Sequence, residues 1–265
     1  MGAENMSTKK PMVLVIAGPN GSGNIYNSNK GKNNKGSSEG ISMKVIARIR
    51  NDFPSKFGIP RQSGVVRELI GRIVFEPEYR NPDALRGIDG FDYLWLIWQF
   101  SEAVRDKWSP TVRPPILGGN TRMGVFATRS PFRPNAIGLS SVRLEGVELN
   151  TPEGPVLHVS GADLMDGTPI LDIKPYLAYA DSHPEAAQGF RGEGWRRQLL
   201  VEIPDALLAK VPEAKRAGLL GVLSNDPRPT YHDDEARIYG MPFGSQEIRF
   251  RVAKDKLIVV DVINF

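Results

Sequence analysis

A chain of 265 residues with 40% hydrophobic content is long enough for one large domain or two small ones, each with a real core. It has no cysteine, which excludes disulfides, thiolate zinc sites and cysteine nucleophiles together and fits the reducing cytoplasm, and it has no apolar run near the roughly eighteen residues needed to span a membrane. The net charge of +4 suggests a nucleic-acid footprint, but residues 1–40 hold five Lys against two acids, leaving 29 basic and 28 acidic residues from Ile41 onward, so anion binding by the body must come from a local patch.

Met12–Ala17 followed by Gly18-Pro-Asn-Gly-Ser-Gly23 has the form of a strand entering a phosphate-binding loop, yet Asn24 stands where the Lys should be and Ile25 where the Ser or Thr belongs. The Asn/Gly/Lys/Ser-rich stretch that follows has no hydrophobic period and so no helix to carry phosphates on its N-terminus. Residues 1–40 therefore read as a disordered leader or cloning remnant, dispensable for folding and activity.

Order is expected from about Met43. Met43–Arg50 and Ile70–Phe75 read as strands flanking a loop at Phe53–Gln62, and Phe91–Phe100, the most apolar run, reads as a buried strand with Trp95 and Trp98 in the core. Met123–Thr128 and Ile137–Leu149 alternate like half-buried strands. Val156–Leu164 and Ile170–Tyr176 flank the turn Asp166-Gly-Thr-Pro169. Short strands at close spacing, with no GxGxxG after any of them, predict a mainly β fold, a barrel or sandwich rather than a doubly wound sheet. After residue 190 the character changes: a strand at Trp195–Ile203, helices at Pro204–Ala217 and Gly218–Leu223, and a hairpin from Gln246–Val252 and Lys256–Ile263 predict a smaller α+β domain over 191–265, behind a β domain over 41–190. His158, His183 and His232 have no ligand spacing, so no metal site is expected.

Between the strands at Met123–Thr128 and Ile137–Leu149, Pro131 and Pro134 stiffen the segment Arg129–Asn135 and present Arg129 and Arg133 with little freedom left to lose on binding. From Arg105 to Arg143 there are seven basic residues (Arg105, Lys107, Arg113, Arg122, Arg129, Arg133, Arg143) against the single acid Asp106. Self-pairing cannot satisfy them, and the loop is expected to meet an external anion.

Gly58-Ile-Pro-Arg-Gln62, Leu94-Trp-Leu96, Arg113-Pro-Pro115, Gly119-Asn-Thr-Arg-Met-Gly-Val-Phe-Ala-Thr-Arg-Ser-Pro-Phe-Arg-Pro-Asn-Ala-Ile-Gly138, Asp166-Gly-Thr-Pro-Ile-Leu-Asp-Ile-Lys-Pro-Tyr176 and Asp226-Pro-Arg-Pro-Thr-Tyr231 together resemble the TsaA/TrmO family over roughly Met43 to Phe265. The resemblance implies an S-adenosylmethionine-dependent tRNA methyltransferase acting on the exocyclic amino nitrogen of threonylcarbamoyladenosine beside the anticodon. It also implies a β-barrel catalytic domain without a Rossmann fold, and a homodimer. It places the cofactor at Pro60, Arg61 and Gln62, at Ser101 and Glu102, at Arg129 and Leu139, and at Asp166, Gly167, Thr168 and Pro169. The chain departs from the family pattern at Ser101-Glu102, often His-Gln, and at Asn135-Ala-Ile-Gly138, often Asn-Pro-Ile-Gly.

Methyl transfer from a sulfonium is an in-line displacement that needs alignment and exclusion of water more than a triad. The ureido nitrogen is a poor nucleophile but a more acidic one, so a carboxylate can assist by taking its proton, and Asp166 and Asp172 are the candidates. Asp166 reads equally well as a turn residue bonding its own backbone. Arg122 and Arg133 are candidate substrate contacts. In the C-terminal part, expected to serve tRNA selection without contributing to cofactor binding, Arg191, Arg196, Arg197 and Arg228 are candidate phosphate contacts, with Tyr231 a further substrate contact. Two alternatives remain on the residues alone: a non-catalytic RNA-binding β-barrel module, and a methyltransferase on another substrate.

Overall fold

The computed structural model describes residues 42–105, 107–191, 198–228 and 234–265. The expected leader over residues 1–40 lies outside them, as do Tyr231, Arg196 and Arg197. In chain order the elements are β1 (Ala47–Arg50), β2 (Ile70–Phe75), β3 (Tyr93–Gln99), the two-residue strands β4 (Thr111–Val112) and β5 (Met123–Gly124), β6 (Ile137–Glu148), β7 (Val156–Ser160), β8 (Pro169–Pro175), the one-turn helix α1 (Ala178–Asp181), β9 (Leu200–Glu202), α2 (Asp205–Leu208), α3 (Glu213–Ser224), β10 (Tyr239–Phe243), β11 (Gln246–Ala253) and β12 (Lys256–Asn264). Six strands close an antiparallel barrel in the order β1-β2-β7-β6-β3-β8. Closure removes every edge, and alternate residues such as Leu94, Leu96 and Trp98 on β3 fill the interior. The mainly β expectation holds. Trp95 points the other way from Trp98 and donates its Nε1–H to Asp181 Oδ2 at 2.9 Å, so only Trp98 of the two tryptophans is buried.

A second sheet, β10-β11-β12-β9, with β9 parallel to β12, packs with α3 around a separate core. This core recruits Phe53, Val66 and Leu69, from the segment that joins β1 to β2, alongside Leu219, Leu223, Phe243, Phe250 and Leu257. Phe53 meets the edge of Phe243 at 5.6 Å between centroids, and the Phe57 ring stacks on Phe250 at 6.4 Å. The β1–β2 segment belongs to the barrel by sequence and to the C-terminal core by packing.

Three local outcomes differ from the sequence reading. Only Met123–Gly124 of the expected Met123–Thr128 strand finds a partner, Thr111–Val112; Val125–Ala127 turns into a 3-10 helix closed by the Thr128 hydroxyl and amide on the Val125 carbonyl. The expected helical stretch from Pro204 stops at Leu208 and restarts at Glu213, because Pro212 lacks an N–H and is tolerated only at a helix start. Gly218 and Gly221 stay inside α3, with their bare faces against Leu69, Glu68 and Val66, where a boundary was expected. β10 carries Pro242 because it is an edge strand, where a proline costs no ladder bond.

At the open end of the barrel the Trp98 indole lies flat against Gly138, its cross-strand partner on β6, so closely that any Cβ there would collide with the ring. Gly138→Ala is expected to displace the indole and cost about 1–3 kcal/mol, the usual range for overpacking a filled core. Urea unfolding followed by tryptophan fluorescence reads both effects, and an unchanged midpoint would show that the strand yields freely.

Candidate active site

The displaced indole would matter because Trp98 forms part of the wall of a cavity of about 810 Å3 at this end of the barrel. That volume lies within the roughly 300–1,000 Å3 range of small-ligand sites. Four stretches far apart in sequence supply the rest of the wall: Lys56 and Ile59–Gln62 from the β1–β2 segment, Trp95 on β3 with Gln99–Ala103 at and after its end, Phe126, Arg129 and Pro131–Asn135 from the proline-stiffened loop with Ile137–Leu139 at the start of β6, and Asp163, Met165 and Thr168 between β7 and β8. Arg129 Nη1 donates to Gln62 Oε1 and ties the proline loop to the β1–β2 segment. Arg133 Nη1 donates to the Thr128 carbonyl at 3.2 Å, which folds the loop onto its own stem. Lys56 and Glu102 pair at 3.2 Å across the mouth, but both are exposed and the pair contributes little to stability.

Pro60, Arg61, Gln62, Ser101, Glu102, Arg129, Arg133, Leu139 and Thr168 therefore share one cavity. Asp166, Gly167 and Pro169 do not line it. Asp166 accepts the Asn51 amide at 2.9 Å, lies 3.6 Å from Arg50 Nη1, and sends its own amide to the Phe53 carbonyl at 2.8 Å, which fastens the β7–β8 turn to the end of β1. Asp172 stands on β8 away from the cavity, paired with Lys174 at 2.9 Å. Arg122 is exposed and within reach of Thr111 Oγ1 at 3.4 Å, outside the wall. Arg228 is buried and closes a two-point pair onto Asp226 through Nε and Nη2 at 2.8 and 2.9 Å, outside the cavity wall.

Sequence reasoning missed the polar chain at the cavity floor. Trp98 Nε1 donates to Ser140 Oγ at 3.0 Å, and Ser140 donates to Asp163 Oδ1 at 2.6 Å. Ser140 is buried and Asp163 half-buried between the buried neighbours Ala162 and Leu164. Burial pushes the Asp163 carboxyl above its ordinary value against the opposing pull of the Ser140 hydroxyl, the amides of Asp163 and Ser63, and the Arg129 guanidinium. A carboxylate breaking the apolar run Val156–Leu164 was the available signal.

Around the mouth, Phe126, Phe132, Leu139 and Trp108 are exposed; Trp108 and Phe126 lie 6.1 Å apart, and Arg105 sits 3.8 Å over the Phe132 ring. Among the described residues, Arg105, Lys107, Arg113, Arg122, Arg129 and Arg133 make no ion pair with a carboxylate. The donor set fits S-adenosylmethionine: the Glu102 carboxylate and aromatic faces for its sulfonium and ammonium, arginines and Lys56 for its carboxylate, and apolar wall for its adenine. No helix among the described residues is long and apolar enough to cross a membrane, and no cluster of His, Asp or Glu there could hold a metal ion.

Comparison with known proteins agrees with this architecture. Residues 48–182 match the tRNA-methyltransferase O N-terminal domain and residues 197–264 the TrmO C-terminal domain. The tRNA (adenine(37)-N6)-methyltransferase of Escherichia coli (strain K12) is 39% identical over 215 residues, covering 78% of this chain and 91% of that protein. A putative S-adenosylmethionine-dependent methyltransferase of Pseudomonas aeruginosa, RcsF, is 39% identical over 234 residues, covering 83% and 97%. The crystal structure of TrmO from Pseudomonas aeruginosa superposes with a TM-score of 0.70 at 32% identity, over 85% of this chain and 98% of that one. With both domains matched in order, and a barrel that carries the cavity, the chain belongs to the tRNA-methyltransferase O family.

Proposed function

We propose that the protein transfers a methyl group from S-adenosylmethionine to the exocyclic amino nitrogen of threonylcarbamoyladenosine at position 37 of tRNA, as a cytoplasmic homodimer. The observation that carries this reading is the cavity itself, where the segments that resemble the family's cofactor motifs meet beside a cationic loop whose arginines make no ion pair among the described residues. The cofactor supplies an electrophilic methyl carbon on a sulfonium. The protein supplies position and dryness. Trp98, Phe100 and Ile137 wall the cavity with apolar surface, and the Gln62–Arg129 contact holds two of its loops together. Arg129 and Arg133 offer planar forks to a carboxylate or phosphate, while Trp108 and Phe126 at the rim offer faces on which an unpaired base can stack. Asp166, on this reading, acts by fixing the turn that carries Thr168 into the cavity.

Mass spectrometry of anticodon-loop nucleosides after incubation with isotopically labelled S-adenosylmethionine tests the reading. The expected product is a labelled methyl on threonylcarbamoyladenosine; a label on another nucleoside would change the substrate. No label, with no cofactor binding by calorimetry at millimolar concentration, would leave the basic loop as an RNA-binding surface.

A further inference from the structure

The function just proposed needs a group to take the proton that the attacking nitrogen loses, and neither carboxylate suggested by the sequence lines the cavity. Asp166 is engaged by Asn51 and Arg50, and Asp172 by Lys174 on the outside of β8. We propose that Asp163 is this proton acceptor, oriented by the Ser140 hydroxyl and, through it, by the Trp98 indole.

The geometry makes the case. Asp163 is a carboxylate on the cavity wall, and it is held from below by a chain of donors, Trp98 Nε1–H to Ser140 Oγ at 3.0 Å and Ser140 O–H to Asp163 Oδ1 at 2.6 Å. The indole has only a donor and takes one lone pair of the Ser140 oxygen, while the hydroxyl hydrogen is given to Asp163 Oδ1, an acceptor when the carboxyl is ionised. One carboxylate oxygen is thereby committed and the group's orientation set. The charged group that faces it is Arg129, from the proline-stiffened loop; from the β1–β2 segment it receives only the Ser63 amide. A structural acid at this position would be expected to end in an ion pair, as Asp166 and Asp226 do, and among the described residues Asp163 makes none.

The chemistry balances. As the ureido nitrogen forms its bond to the methyl carbon, the carbon–sulfur bond breaks with its electron pair left on sulfur as a neutral thioether, and the N–H proton passes to the Asp163 carboxylate. Solvent receives it after product leaves. An acceptor whose proton affinity is lifted by burial is better matched to such a donor than a fully solvated aspartate. The anion is the active form, so the rate rises with pH through the raised Asp163 value and levels off above it.

The test rests on the proposed reaction, and two readouts separate failure of the one from failure of the other. In the full-length protein free of ligand, carbon-13 NMR of aspartate carboxyls, assigned with Asp163→Asn, gives the Asp163 titration directly; a midpoint at or below that of an ordinary aspartate would overturn the proposal whatever the substrate. With wild type shown to methylate, Asp163→Asn is expected to lower the single-turnover rate by about a hundredfold or more and to abolish its acid limb, while the calorimetric S-adenosylmethionine affinity changes by less than about threefold. Ser140→Ala, which leaves the carboxylate but removes its donor, is expected to move the acid limb to higher pH at unchanged cofactor affinity. Loss of cofactor affinity matching the loss of rate in Asp163→Asn would make Asp163 a cofactor-binding group and sink the proposal. So would a wild-type acid limb in Ser140→Ala.

Discussion

Arg129→Lys should be almost as damaging as Arg129→Ala, each lowering S-adenosylmethionine affinity and catalytic efficiency by about ten- to a hundredfold, the equivalent of about 1–3 kcal/mol for charge-assisted hydrogen bonds. The guanidinium has two duties that an ammonium cannot share. It donates to Gln62 across the mouth, and its planar fork leaves further donors for an anion in the cavity. A lysine keeps the charge and one of these duties at most. The two variants differ in a third respect, because Arg129 also lowers the proton affinity of Asp163 through its charge. In Arg129→Ala that restraint is gone, so the acid limb of the rate should move to higher pH; in Arg129→Lys much of it survives and the limb should move less. Arg133, whose fork is partly spent on the Thr128 carbonyl, should affect tRNA affinity more than cofactor affinity when changed to Ala. Calorimetry with the cofactor and single-turnover rates across pH decide the matter. Wild-type behaviour of both Arg129 variants in a folded protein would remove the loop from the site.

The barrel was legible because its strands alternate and its turns are written in Gly, Pro and Asp, signals that act within a few residues. Ile70–Phe75 and Ile137–Glu148 coincide with their expected positions almost residue for residue. The basic, proline-stiffened loop was legible for the same local reason. What sequence could not show depends on partners far away along the chain. Asp163 acquires its character from Ser140, 23 residues off, and Ser140 from Trp98, 42 residues off. Asp166 drew attention through its turn motif, but the groups that occupy it, Arg50 at the end of β1 and Asn51 just after it, lie more than a hundred residues earlier. The β1–β2 segment looked like an ordinary barrel loop, and nothing local says that its hydrophobic residues are buried by another sheet.

That burial changes what the C-terminal part is expected to do. Pro60, Arg61 and Gln62 line the cavity, yet the segment that carries them is anchored on both sides in the C-terminal core, by Phe53 and Phe57 before them and Val66 and Leu69 after. Lys215 on α3 adds an ion pair to Asp52 at 2.5 Å, and Val66 lies against Gly221 so closely that a Cβ there would come within 2.5 Å of Val66 Cγ1. Removing the chain beyond residue 190 would leave these side chains bare, and cofactor binding should fall with the domain instead of surviving it. A point substitution asks the same question without truncation. Phe53 is 1% exposed, and Phe53→Ala should destabilise the protein by about 3–5 kcal/mol, the usual cost of deleting a buried aromatic. The comparison is Leu257→Ala on β12, also fully buried in this core but remote from the loop in sequence, with an expected cost of about 2–5 kcal/mol. At a temperature where both remain folded, Phe53→Ala should weaken S-adenosylmethionine binding and Leu257→Ala should not, because Phe53 also presents the carbonyl that receives the Asp166 amide at 2.8 Å and so steadies two walls of the cavity at once. Equal cofactor affinities in two variants of equal stability would show that the C-terminal core holds the fold together but leaves the cavity to the barrel.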